Sequence, residues 1–225
     1  MNARPSRDVQ PTAEVDALAA EVRSLLREVA DPSRAAGQQA YMKTEEPFLG
    51  VRLPQVRAAV GTALKSSPLP DRHTWEALCR RLFDDATCRE ERYAALAVLR
   101  HGSARRWRDV DCLPLVRHVV ERGAWWDLVD DAAHALTDAL VADPEAVAPV
   151  VRRWAVDDDL WVRRVAVLSQ LQRRDATDRD LLADVLDAQL GRPEFWLRKA
   201  SGWALRDLSY ADPDWVVAWL DAHAD

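Results

Sequence analysis

Lysine is scarce in this 225-residue chain: all but Lys43, Lys65 and Lys199 of its 31 basic residues are Arg. Arg carries a planar fork suited to phosphate, although a GC-rich coding bias would enrich it with no functional meaning. Cysteine is as sparse. Cys79, Cys88 and Cys112 are an odd number without a C-x-x-C pair, and the five His form no H-E-x-x-H arrangement, so neither a disulfide framework nor a metal site is expected. The three thiols read as small buried apolar residues on helices. No apolar run approaches the roughly 20 residues of a bilayer span, and none follows the opening residues to make a signal peptide, so the expectation is a cytoplasmic protein without membrane contact. Positive charge is in deficit as well. A net charge of -6 argues mildly against a nucleic-acid partner and leaves the local distribution to decide.

What the chain does have is tryptophan, ten residues of it, and self-similarity. Trp126, Trp161 and Trp196 are 35 residues apart in segments that each open a predicted helix. Glu194-Phe195-Trp196-Leu197-Arg198-Lys199-Ala200 matches Asp159-Leu160-Trp161-Val162-Arg163-Arg164-Val165 position for position, and Arg92-Tyr93-Ala94-Ala95-Leu96 falls near the same phase one unit earlier. Such a period implies a helix pair per unit. Asp143-Pro144 and Asp212-Pro213 each supply a capping carboxylate followed by Pro at the first helical position. Periodicity and caps place helices at about 12–29, 33–43, 54–65, 72–83, 88–101, 111–122, 125–142, 144–155, 159–173, 178–190, 194–209 and 213–222, with no convincing strand. The expected fold is all-α: an α-solenoid of about six antiparallel helix pairs, forming one domain over 11–225 with a concave face made by the second helix of each pair. The polar residues 1–10 read as a disordered tail.

Several residues could carry chemistry on such a scaffold. Trp126 and Asp130 share a helix face, and an indole beside an anion can hold a cation. Asp130 borders the apolar stripe, so it is either a catalytic anion or a buried capping partner. Arg163 and Arg198 occupy one repeat position, Arg164 and Lys199 the next. Stacked units would line these four cations along one edge and track phosphates, unless they simply pair with Asp157, Asp158, Asp159 and Glu194. Gly202 beside Trp203 is costly within a helix unless something approaches closely. Tyr41-Met42-Lys43 followed by Pro47-Phe48-Leu49-Gly50-Val51 forms an aromatic, Pro-punctuated helix junction.

At these residues the sequence resembles the AlkD family of DNA alkylation repair glycosylases, which are HEAT-like α-solenoids. The likeness runs from about Tyr41 to Trp215. It is carried by Tyr41-Met42-Lys43 with Pro47-Phe48-Leu49-Gly50-Val51, by Trp125-Trp126-Asp127-Leu128-Val129-Asp130, by Leu160-Trp161-Val162-Arg163-Arg164 and by Phe195-Trp196-Leu197-Arg198-Lys199-Ala200-Ser201-Gly202-Trp203. The resemblance implies a monofunctional glycosylase that excises cationic N3- or N7-alkylated purines from duplex DNA, with no metal or cofactor and no base flipped into a pocket. Trp126, Asp130 and Trp203 match the family's catalytic residues. Arg164 matches a DNA-contacting Arg beside the lesion, and Tyr41 an aromatic residue near the lesion strand. Arg52 stands at a position that varies in the family, where it adds a phosphate contact or alters lesion preference. A Schiff-base lyase step is not expected. The reading from another class is a catalytically silent solenoid that binds unusual DNA or a protein partner. A monomer is expected in either case.

Overall fold

Aspartates open half of the helices: Asp31, Asp71, Asp143, Asp159, Asp178 and Asp212 each accept a main-chain N–H of the turn that follows. The computed structural model describes residues 13–224, and the tail expected over 1–10 lies outside them. Twelve α-helices run in order among the described residues: α1 (Ala13–Glu28), α2 (Pro32–Met42), α3 (Leu53–Ser66), α4 (Arg72–Asp84), α5 (Arg89–Leu99), α6 (Leu113–Gly123), α7 (Trp126–Ala142), α8 (Pro144–Ala155), α9 (Leu160–Val167), α10 (Arg179–Asp187), α11 (Phe195–Ser209) and α12 (Pro213–Ala222). Short 3-10 turns lie at Gly102–Trp107, Val110–Cys112 and Arg174–Ala176, and no strand occurs among the described residues. Asp143 accepts the Ala146 N–H at 3.0 Å and Asp212 the Trp215 N–H at 3.2 Å, so the two Asp-Pro pairs cap α8 and α12. None of these helices is long and apolar enough to cross a membrane.

The chain divides into two compact units, one ending at Arg105 and the other beginning at Arg106. In the first, α1 packs on α3 and α4, which both pack on α5 around Leu26, Trp75, Leu78, Phe83 and Leu96. In the second, α7, α9 and α11 form one row of neighbours, and α8 packs on α7, α9 and α10. Leu128, Leu136, Val151, Val162 and Leu182 fill the space between them. Stacked helix pairs of this kind make the fold an all-α solenoid. All three Cys are buried, and burial pushes the Cys88 thiol up to about 11, where it is a poor nucleophile.

One local departure has a physical cause. The helix expected over 159–173 ends at Val167, and Gln172 and Arg174 take positive φ of 67° and 50°. Polar groups of this segment find partners that a continuing helix would deny them. Thr137 Oγ1 donates to the Ser169 carbonyl at 2.8 Å, the Gln172 N–H donates to Asp207 at 2.7 Å, and the Gln170 amide pairs with both main-chain groups of Asp178 at 2.9 Å. The Pro47–Val51 junction is a turn, where Gly50 has φ +82° and a β-carbon would sit 1.9 Å from the Asp31 carbonyl oxygen. Gly50→Ala is expected to destabilise the first unit by about 3 kcal/mol, measured by urea denaturation, because it adds a main-chain clash to a left-handed backbone. An unchanged midpoint would show that the turn relaxes freely.

Candidate active site

The helix start that carries Trp126 is set by its neighbours. Ala124 takes the left-handed conformation (φ 40°) to close α6, and Trp125 is extended ahead of α7. Asp130 follows in the second turn of α7 with its side chain 14% exposed. From the adjacent helix α9, Arg164, 4% exposed, meets it in a two-pronged pair: Nε to Oδ1 and Nη2 to Oδ2, each at 2.7 Å. The remaining guanidinium nitrogen, Nη1, donates to the Trp196 carbonyl at 2.6 Å, and the guanidinium carbon lies 5.7 Å from the Trp196 ring centroid. Arg164 is thus the cation held between Asp130 and the Trp196 indole. Burial pushes the Asp130 carboxyl above the usual carboxylate range, and the paired Arg164 guanidinium works against that rise.

Behind this pair stands a triangle of indoles. Trp125, Trp161 and Trp196 have ring centroids 6.0, 5.7 and 5.9 Å apart, and Phe195 meets Trp196 edge-on at 5.1 Å. Trp161 and Trp196 come together as their repeat phase requires, joined by Trp125, which precedes the residue of matching phase. Aromatic contacts in tilted and edge-on geometry hold the starts of three helices in register.

Arg163 and Arg164 do not line a phosphate-tracking edge with Arg198 and Lys199. Both are buried, and Arg163 donates to the carbonyls of Asp157 and Asp158 at 2.7 and 3.1 Å and to Glu194 at 2.9 Å. The reason is position in the row. Helix α9 has α7 on one side and α11 on the other, so its first-turn cations meet carboxylates and carbonyls, whereas Arg198 and Lys199 on α11 remain exposed. Further along α11, Gly202, Trp203 and Arg206 continue the same exposed face at helical spacing, with Trp203 40% exposed. A methyl group on Gly202 would meet no described atom within 4 Å, so packing within the chain does not demand the glycine. Arg206 was legible three residues after Trp203 but lies outside the matched motifs.

Trp126 is half-buried at the first position of α7, and Trp203 lies in the same row with α9 between their helices. Tyr41 and Arg52 belong to the first unit, where both are exposed. Tyr41 lies in the last turn of α2, and Arg52 precedes α3, its N–H donating to the Gln55 side chain at 3.1 Å. The aromatic, Pro-punctuated segment before Arg52 is a tight turn.

A protein from Enterococcus faecalis, described as a predicted DNA alkylation repair enzyme, superposes with a TM-score of 0.77 at 26% identity over 86% of this chain and 89% of that one. The Pseudomonas fluorescens alkylpurine DNA glycosylase AlkC, bound to DNA containing an abasic site analog, gives a TM-score of 0.44 at 18% identity over 92% of this chain and 56% of that one. No curated protein matches the sequence at a significant level. The family model of the DNA alkylation repair enzymes matches residues 22–225, and with nearly the whole chain so covered, the protein belongs to that family.

Proposed function

We propose that the protein is a monofunctional glycosylase that hydrolyses the N-glycosidic bond of cationic N3- or N7-alkylated purines in duplex DNA. The observation that carries the proposal is Asp130, a mostly desolvated carboxylate whose charge and direction Arg164 maintains from a neighbouring helix. An alkylated purine already bears positive charge, so the bond breaks with its electron pair leaving on the base and the sugar moves toward an oxocarbenium ion. Asp130 stabilises that developing charge, and each carboxylate oxygen keeps a lone pair to orient water toward the sugar. The water oxygen bonds to the anomeric carbon, and its proton passes to the carboxylate or solvent. Trp126 and Trp203 present electron-rich faces to the deoxyribose. Neutral lesions are poor substrates on this mechanism because nothing has weakened their bond.

The test is release of free 3-methyladenine and 7-methylguanine from methylated duplex DNA, corrected for spontaneous loss, across a pH series. Asp130 acts as its anion. Because its pKa is raised, the acid form persists to higher pH, so the rate climbs with pH through a midpoint above the ordinary value of about 3.9. Duplex binding without release at any pH would favour the silent, DNA-binding reading instead.

Duplex contact is assigned to the exposed cations Arg52, Arg198 and Lys199 and to Tyr41. Replacing Arg198 or Lys199 by Ala is expected to weaken binding to damaged and intact duplex alike. Each is also expected to flatten the plot of log affinity against log salt by about 0.9. A slope that stays the same in both variants would remove these residues from the interface.

A further inference from the structure

The first unit holds a carboxylate that the proposed chemistry does not use. Glu90, the second residue of α5, is 0% exposed, and its oxygens accept three consecutive main-chain N–H groups. Leu49 donates to Oε2 at 3.0 Å, while Gly50 and Val51 donate to Oε1 at 2.9 and 3.0 Å. Charge-assisted bonds of this kind fix the 49–51 backbone firmly. The carbonyls of the same three residues serve α2. Leu49 accepts the Asp31 N–H at 2.8 Å, Gly50 accepts Arg34 Nε at 2.9 Å, and Val51 accepts Gln38 Nε2 at 3.1 Å. Gln39 Nε2 adds bonds to the Glu45 and Glu46 carbonyls at 3.2 and 3.1 Å.

Every residue of α2 stays at least partly exposed, so the helix is attached by a polar latch and not by apolar burial. The latch centres on Glu90. Burial is non-directional and tolerates small slips, whereas hydrogen bonds fix direction as well as distance. The last turn of α2 carries Tyr41, 71% exposed, just before Lys43 turns the chain at φ 52°.

We propose that Glu90 is a positioning residue for duplex binding: by holding the Pro47–Val51 turn it holds α2, and so presents Tyr41 as a preordered stacking surface for a nucleobase in distorted DNA. This role rests on the reading that the protein binds duplex DNA. An isolated helix of 11 residues is marginal in water, so α2 frays when the latch is cut. Tyr41 must then be ordered on binding, and affinity falls with the fraction of molecules already ordered.

The experiment combines amide hydrogen exchange over 31–51 without DNA, duplex affinity, and base release at saturating DNA. Glu90→Gln turns an N–H₂ group toward main-chain donors. It is expected to speed exchange over 31–51 about tenfold and weaken duplex binding about tenfold, with the saturating rate unchanged. Tyr41→Ala is expected to weaken binding to the same degree without altering exchange, and the double variant to bind no worse than either single one. Gln38→Ala removes one outer bond of the latch while sparing α5; it gives the same pattern at smaller amplitude and decides the question if Glu90→Gln does not fold. Unchanged exchange in the variants overturns the latch. Faster exchange with unchanged affinity, or additive losses in the double variant, overturns only the positioning role. A native protein that binds no duplex overturns this role together with the DNA reading on which it rests, while exchange still reports on the latch.

Discussion

Asp130→Asn is expected to slow base release from methylated duplex DNA by about two orders of magnitude, because the neutral amide would no longer oppose the positive sugar. The change has a second, separable effect. Arg164 is almost fully buried and makes two of its bonds to this carboxylate, so the amide leaves a desolvated guanidinium without its counter-charge. Breaking a buried pair from one side costs about 3 kcal/mol, which urea denaturation will read alongside the kinetics. At a temperature where the variant is still fully folded, slowing of the rate reports on chemistry and not on unfolding. A folded Asp130→Asn variant that releases base at the native rate would remove Asp130 from the mechanism.

Arg164→Gln is expected to slow base release as well, with a different signature. The guanidinium lowers the Asp130 pKa against the rise caused by burial, and without it the carboxyl is held in its acid form to still higher pH. The rate at neutral pH falls, the acid limb of the profile moves upward, and stability drops by about 3 kcal/mol from the lone buried carboxylate. Raising the pH should recover part of the lost rate, which a purely structural defect would not allow. In Asp130→Asn/Arg164→Gln no charge is left alone, so the loss of stability should be smaller than that of the single variants added together. Activity should still match the Asp130→Asn level. An acid limb that stays in place in Arg164→Gln would show that the pair holds the helices together without tuning the carboxylate.

The indoles of the site act through neighbours that no single helix contains. Trp196 contributes a ring face and a main-chain carbonyl to the Arg164 guanidinium, and Trp125 and Trp161 brace that ring. Placement of the Asp130 carboxylate thus depends on three helices, so packing changes behind Trp196 are felt at Asp130.

Much of the fold was legible along the chain because its signals are local. Asp-Pro caps, apolar spacing near 3.6 residues and the recurring Trp segments act within one or two helical turns, and they announce helix pairs without knowledge of their partners. The same signals place Trp126 and Asp130 on one helix and Arg198, Lys199 and Trp203 on another. Only the tertiary structure separated Arg163 and Arg164 from Arg198 and Lys199, which share repeat positions. A helix flanked on both sides buries its first-turn cations against acids more than 30 residues away, and the later helix leaves them in water. The run Arg89-Glu90-Glu91-Arg92 shows the same limit, since nothing in four consecutive charges tells that Glu90 is fully buried beneath a turn 39 to 41 residues earlier. Local free energies write the helices into the sequence, but the fate of each charge depends on which distant groups replace its water, and that is decided only when the helices pack.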